Sequence, residues 1–163
     1  MTDPQAPAPK SPFEPARLGP LQLKNRIIKA ATFEGAMPRG AVSDQLIDFH
    51  TQVAAGGAAM TTVAYCEVSK NGRVSRDTMV FTEDLIPDLV RLTDAVHEHG
   101  TLISAQIGHA GLVAQAQSKK YPSMAPSTRF SAPAKGIVKG ATKEQLDEVV
   151  SQYVRAALVA EAA

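Results

Sequence analysis

The sequence predicts a parallel α/β fold, and three observations carry that prediction. Short runs of small and β-branched apolar residues alternate with longer amphipathic runs. Each long run either opens on a helix-capping residue or closes on glycine. The resulting order, β-α-β-α-β-α, implies parallel strands joined by right-handed crossovers.

The chain opens with "MTDPQAPAPKSPFEPAR", where prolines recur every few residues and little can be buried. Residues 1–16 are read as a disordered or extended tail, and residues 17–163 as the folded unit. In "LGPLQLKNR", Gly19-Pro20 makes a turn between Leu18 and the pair Leu21 and Leu23, which predicts a small hairpin. Residues 26–31, "RIIKAA", form the first strand of the regular part. Ser43 is the N-cap of the first helix, Leu46, Phe49 and Val53 recur at helical spacing, and Gly56-Gly57 ends it. Residues 58–65 are the second strand. After an Asn71-Gly72 turn, a second helix starts near Thr82 or Asp84. Its stripe is Leu85, Leu89, Leu92 and Val96, and Gly100 closes it. Residues 101–107 are the third strand. A long polar loop containing prolines runs to about Gly140. Thr142 and Gln145 then form a capping-box pattern for a third helix, with Leu146, Val149, Val150, Tyr153 and Ala157 on its inner face.

Composition narrows the function. The 163 residues are 44% hydrophobic and 20% charged, with a formal net charge of +1. One globular domain is expected, with no electrostatic reason to bind nucleic acid or an anionic membrane. No apolar run approaches the roughly 20 residues of a membrane helix, and no signal-peptide core is present, so a cytoplasmic location is expected. Cys66, the single cysteine, excludes intrachain disulfides and cysteine-based metal sites. Two architectures fit the element order, an open doubly wound sheet or part of a (β/α)₈ barrel. The first strand–helix loop lacks both a G-x-G-x-x-G and a P-loop pattern, which weakens a nucleotide-binding open sheet.

In a barrel, ligands sit where strands end. Those places hold Ala30, Ala31, Thr32, Phe33 and Glu34 after the first strand, and Ala64, Tyr65, Cys66 and Glu67 at the end of the second. Gln106 and His109-Ala110-Gly111 follow at the third. Gln106 is the informative residue. A glutamine buried in a dry strand costs about 1–3 kcal/mol unless its carbonyl and amide hydrogens find partners. It suits the edge of a heterocycle that carries adjacent C=O and N–H groups.

"LGPLQLKNRIIKAAT", "AYCEVSKNGR" and "SAQIGHAG" resemble the N-terminal part of the Old Yellow Enzyme family of flavin oxidoreductases, over residues 13–163. The resemblance implies the first three βα units of a (β/α)₈ TIM barrel, incomplete here, behind a Pro-rich tail and short hairpin. It implies FMN across the barrel mouth, NADH or NADPH as reductant, and a small-molecule acceptor such as an electron-poor alkene. Ala31, Thr32 and Phe33 would flank the isoalloxazine near its reactive edge. Tyr65 would contact it, Gln106 would bond its pyrimidine ring, and His109 would support the loop beside the site. Phe33 stands where the family often has Thr or Cys.

The family's substrate-anchoring His pair or His-Asn pair and its phosphate site would lie beyond residue 163, so no catalytic residue is assigned and the chain reads as an N-terminal fragment. A barrel takes about 250 residues. The fragment is expected to be inactive alone and to self-associate. The alternative is a non-catalytic partial barrel serving as an assembly or interaction module. A barrel lyase or aldolase would need a lysine or metal cluster at the strand ends, and none is visible. The blander expectations are that His50, His97 and His99 are solvated, that Cys66 is packing, and that Glu34 and Glu67 are solvated loop carboxylates.

Overall fold

A computed structural model describes residues 11–115 and 118–163. Residues 1–10, most of the expected tail, lie outside the described residues. Residues 11–15 lead by a turn into the hairpin of β1 (Ala16–Leu18) and β2 (Leu21–Leu23), paired antiparallel around Gly19, whose φ of 58° suits the turn.

The expected parallel sheet is present. β3 (Ile28–Lys29), β4 (Met60–Glu67) and β6 (Leu102–Gly108) lie side by side in that order, all parallel. Two details differ from expectation. The first strand pairs over only two residues, because the backbone turns away after Lys29. Along the edge of β4 that β3 vacates runs β5 (Met79–Val80), also parallel and paired with Cys66 and Glu67.

The helices follow their caps. α1 (Asp44–Ala55) starts where the Ser43 hydroxyl accepts the Leu46 N–H at 3.1 Å. α2 (Ile86–His97) follows a 3₁₀ turn over Glu83–Leu85, and Gly100 at φ 61° leads out of its last turn. α3 (Lys143–Glu161) begins with the reciprocal Thr142–Gln145 capping box. All three pack on one face of the sheet. Leu46 and Ala54 of α1, Leu89, Leu92 and Val96 of α2, and Ala156 and Val159 of α3 close over Val63 and Cys66. Ile103, Ala105 and Ile107 join this core from β6.

Two helix faces differ from the sequence reading. On α1 the buried row is Leu46, His50 and Ala54, while Phe49 is exposed. His50 is therefore not solvated; it is fully buried, because the sheet below offers it polar partners. On α3 the expected inner residues Leu146, Val150 and Tyr153 are exposed, as is Ala157. Ala156 and Val159, about a quarter-turn away, face the core. This helix carries two apolar stripes, and the sheet covers one. The long loop after β6 also contains a hairpin, β7 (Arg129–Ser131) with β8 (Gly136–Val138).

The "LKN" segment locks the end of the sheet away from the candidate site. Lys24 Nζ donates to the His99 carbonyl at 2.8 Å and to Thr101 Oγ1 at 2.9 Å, just past the end of α2. Asn25 donates to the Gly57 carbonyl at 2.7 Å, just past α1, and its Oδ1 accepts the Ile27 N–H. These residues serve architecture: they tie the segment before β3 to the turns that follow α1 and α2.

Candidate functional site

The helices leave the other face of the sheet uncovered, and the predicted residues gather at its C-terminal end. The β4–β6 ladder pairs Val63 with Ala105 and next Cys66 with Ile107. Ala64 and Tyr65 thus stand opposite the single residue Gln106, which is a β-bulge. The extra residue resets side-chain alternation, so Val63 and Cys66 both enter the core and Tyr65 emerges on the open face. Thr62 and Ser104 lie on that face one step below, their hydroxyls 2.9 Å apart.

Gln106 is exposed. The expectation of a buried glutamine is corrected: the face it occupies carries no second layer here. Its amide has no protein hydrogen-bond partner among the described residues, so both donor and acceptor remain available. Phe33 meets Tyr65 with ring centroids 5.7 Å apart, both rings roughly half exposed. Ala30 and Thr32 are exposed and Ala31 is half-buried, leaving the backbone open to a flat ligand. The Thr32 hydroxyl is turned back to the Ala30 carbonyl at 3.3 Å.

His109 is half-buried beside this face. Its Nδ1 accepts the Gly111 N–H at 3.0 Å, which in the neutral ring places the proton on Nε2. Burial holds its pKa below the usual imidazole value. Gly72 packs flat against the ring: a β-carbon there would lie 2.5 Å from Cδ2. The Ala110 N–H donates to the Gly72 carbonyl at 2.7 Å, so the loops after β4 and β6 are joined at this contact. Lys70, on the loop after β4, reinforces the junction with its ammonium 5.6 Å from the centre of the Tyr121 ring on the loop after β6.

Both strand-end carboxylates are buried rather than solvated. Glu34, its side chain 1% exposed, accepts Lys29 Nζ at 2.6 Å and faces the Ala64 N–H with both oxygens at 3.3 Å. His50 Nε2 lies 3.5 Å from it, and His50 Nδ1 is 2.7 Å from Thr61 Oγ1. Burial pushes the Glu34 carboxyl up, but the His50 ring and the Lys29 ammonium together hold it below the usual carboxylate value. Glu67 accepts the Val74 N–H at 3.0 Å and ties down the loop after β4. Its burial, only partly offset by Val74 N–H and the Arg73 charge, pushes its pKa up to about 7. Sequence reasoning missed both carboxylates. The available signal was Lys29, five residues before Glu34 on a strand otherwise apolar. Cys66 is a buried packing residue, as expected, and burial raises its thiol pKa. His97 and His99 are exposed, also as expected. Among the described residues no three His, Cys, Asp or Glu side chains converge on a metal position.

An open sheet face at parallel strand ends, bearing an unpartnered carboxamide, two aromatic rings and alanine backbone, fits a planar heterocycle. It defines the N-terminal units of a ligand-binding β/α barrel. The chain belongs to the NADH:flavin oxidoreductase / NADH oxidase family, whose model matches residues 11–163. It is 68% identical to the 4,4'-dithiodibutanoate disulfide reductase of Rhodococcus erythropolis over 155 residues, which are 95% of this chain and 38% of that protein. It is 37% identical to a metal reductase of Desulforamulus reducens, over 89% of this chain and 22% of the relative. In fold it matches morphinone reductase with a TM-score of 0.84 at 21% identity, over 94% of this chain and 47% of that one. Old Yellow Enzyme from Pichia sp. AKU4542 matches at 0.83 and 21%, over 91% and 42%. The chain therefore spans under half the length of each of these proteins. The family resemblance read from the strand-end motifs holds, and so does the incomplete barrel. FMN is the family's cofactor, with NADH or NADPH as reductant.

Proposed function

We propose that this chain supplies the N-terminal β/α units of an FMN-dependent oxidoreductase, with the flavin lying over the open face at the ends of β3, β4 and β6. Residues 31–33 flank the ring, Tyr65 contacts it, and Gln106 donates to and accepts from its pyrimidine edge. His109, fixed by Gly111 and Gly72, holds the adjoining loop. The chemistry FMN supplies when bound is reversible two-electron hydride exchange between NAD(P)H and an acceptor. The observation that carries this reading is Gln106, exposed and unpartnered opposite a bulge that presents Tyr65.

The acceptor is a small molecule. An electron-poor alkene is one class. A disulfide is the other, favoured by the 68% identity to a disulfide reductase. The groups that anchor either acceptor, and the FMN phosphate, belong to barrel strands beyond these, so the isolated chain has little turnover. Among the described residues no helix is long and apolar enough to cross a membrane. The test is FMN titration and NAD(P)H oxidation in the longest natural form of the protein, comparing Gln106→Leu with wild type. Losing two hydrogen bonds to the pyrimidine weakens FMN by about 1–3 kcal/mol and shifts its reduction potential. Unchanged affinity and potential would remove Gln106 from the site.

A further inference from the structure

We propose that Glu34 is a positioning residue for the cofactor-facing side of the sheet, its buried carboxylate holding the β4 bulge that presents Tyr65 to Phe33. β3 leaves the edge of β4 after Lys29, and Ala64, at the bulge, has no partner in any neighbouring strand; a buried N–H must find another acceptor. Glu34 provides it, both oxygens 3.3 Å from that nitrogen. The loop leaving β3 and the bulge in β4 are thereby fixed to each other. Phe33 immediately precedes Glu34 and Tyr65 immediately follows Ala64, so one contact brings both rings together at 5.7 Å.

The surrounding groups are arranged to keep this carboxylate in place. Lys29 Nζ binds Glu34 at 2.6 Å and the Thr62 carbonyl at 3.0 Å, bridging the turn to β4 just before the bulge. Phe49 covers the same ammonium at 5.1 Å and meets the His50 ring edge-on, which explains why it does not enter the core. His50 and Thr61 close the network from α1 and β4. A buried charge cluster of this kind contributes little net stability compared with apolar packing. What it supplies is one defined geometry for the segment 30–35, the strand end that the flavin reading places beside the isoalloxazine. The inference rests on that reading.

The variants are Glu34→Asp and Glu34→Gln, in the longest natural form of the protein. The aspartate keeps the charge beside Lys29 but draws the carboxylate back from Ala64 by about 1.5 Å. Glutamine keeps an oxygen at full reach. In the cofactor-free protein, Glu34→Asp should raise amide exchange at Ala64 about 100-fold while exchange at Val63 stays at its wild-type rate. With FMN, Glu34→Asp should weaken binding about tenfold and shift the flavin reduction potential, and Glu34→Gln should restore Ala64 protection and most of the affinity. Retained Ala64 protection in Glu34→Asp overturns the proposal. So does lost protection with FMN affinity and potential unchanged, since the contact would then serve the fold alone. Failure of the flavin reading is seen separately, as a wild-type protein that takes no FMN, and overturns the cofactor role with it.

Discussion

Replacing Gly72 by alanine isolates the contact that joins the two mouth loops. The added β-carbon would stand 2.5 Å from His109 Cδ2, 2.7 Å from Cγ and 2.9 Å from Nε2. Unbonded carbons prefer separations of about 3.5–4.0 Å, so the ring must retreat by about 1 Å. It cannot do so freely. Its Nδ1 holds the Gly111 N–H at 3.0 Å, and the next residue's N–H is bonded to Gly72 itself at 2.7 Å. Gly72 is not among the glycines of positive φ, so alanine adds no backbone strain. The whole cost is the collision, and overpacking of this kind costs about 1–3 kcal/mol. Removing the ring should remove the cost. In a His109→Ala background, Gly72→Ala should be neutral, or stabilising by up to about 1 kcal/mol through the less flexible unfolded chain. The assay is urea unfolding of the four proteins as a double-mutant cycle. An equal penalty for Gly72→Ala with and without the imidazole would refute the stacking argument.

Glu67 makes stability fall with rising pH. Its folded pKa of about 7 exceeds the ordinary 4.5, so the folded state binds the extra proton between those values. Stability therefore declines across that window, by at most roughly 3 kcal/mol, and Glu67→Gln should flatten the slope in pH-dependent urea midpoints. A slope of the same size in the variant would assign it elsewhere. Glu34, with its lowered pKa, acts in the opposite sense and only below the ordinary carboxylate range, where falling pH removes its contribution. The isolated chain should also self-associate, because Leu146, Val150, Val154 and Leu158 of α3 and Ile28 of β3 remain exposed. Elution in sizing chromatography should move toward the monomer on dilution; monomeric elution at every concentration would contradict this.

The elements most visible in the sequence are those with local causes. Ser43 and Thr142 announce helix starts through hydrogen bonds three residues away, and Gly100 marks an end through its own backbone angle. What stayed hidden depends on residues distant in the chain. His50 looks like a surface histidine until Thr61 and Glu34 are brought beneath it. Phe49 looks like core until Lys29 gives it a cation to cover. The stripe choice on α3 turns on which of two apolar rows meets the sheet, and periodicity alone supports both. At the candidate site, residue identities were legible but the bulge was not: nothing in "TTVAYCE" signals that Ala64 and Tyr65 will share one partner across the ladder.

The Lys24 and Asn25 latch has a kinetic consequence. Asn25 finds its partner 32 residues later, but Lys24 bonds groups 75 and 77 residues away. On a ribosome, the first hairpin emerges long before the carbonyl of His99 and the hydroxyl of Thr101 exist to receive it. Closing so long a segment carries an entropic cost that grows with the logarithm of its length. The Asn25 half of the latch can close once β4 has been made, but the Lys24 half waits until the third strand has been made.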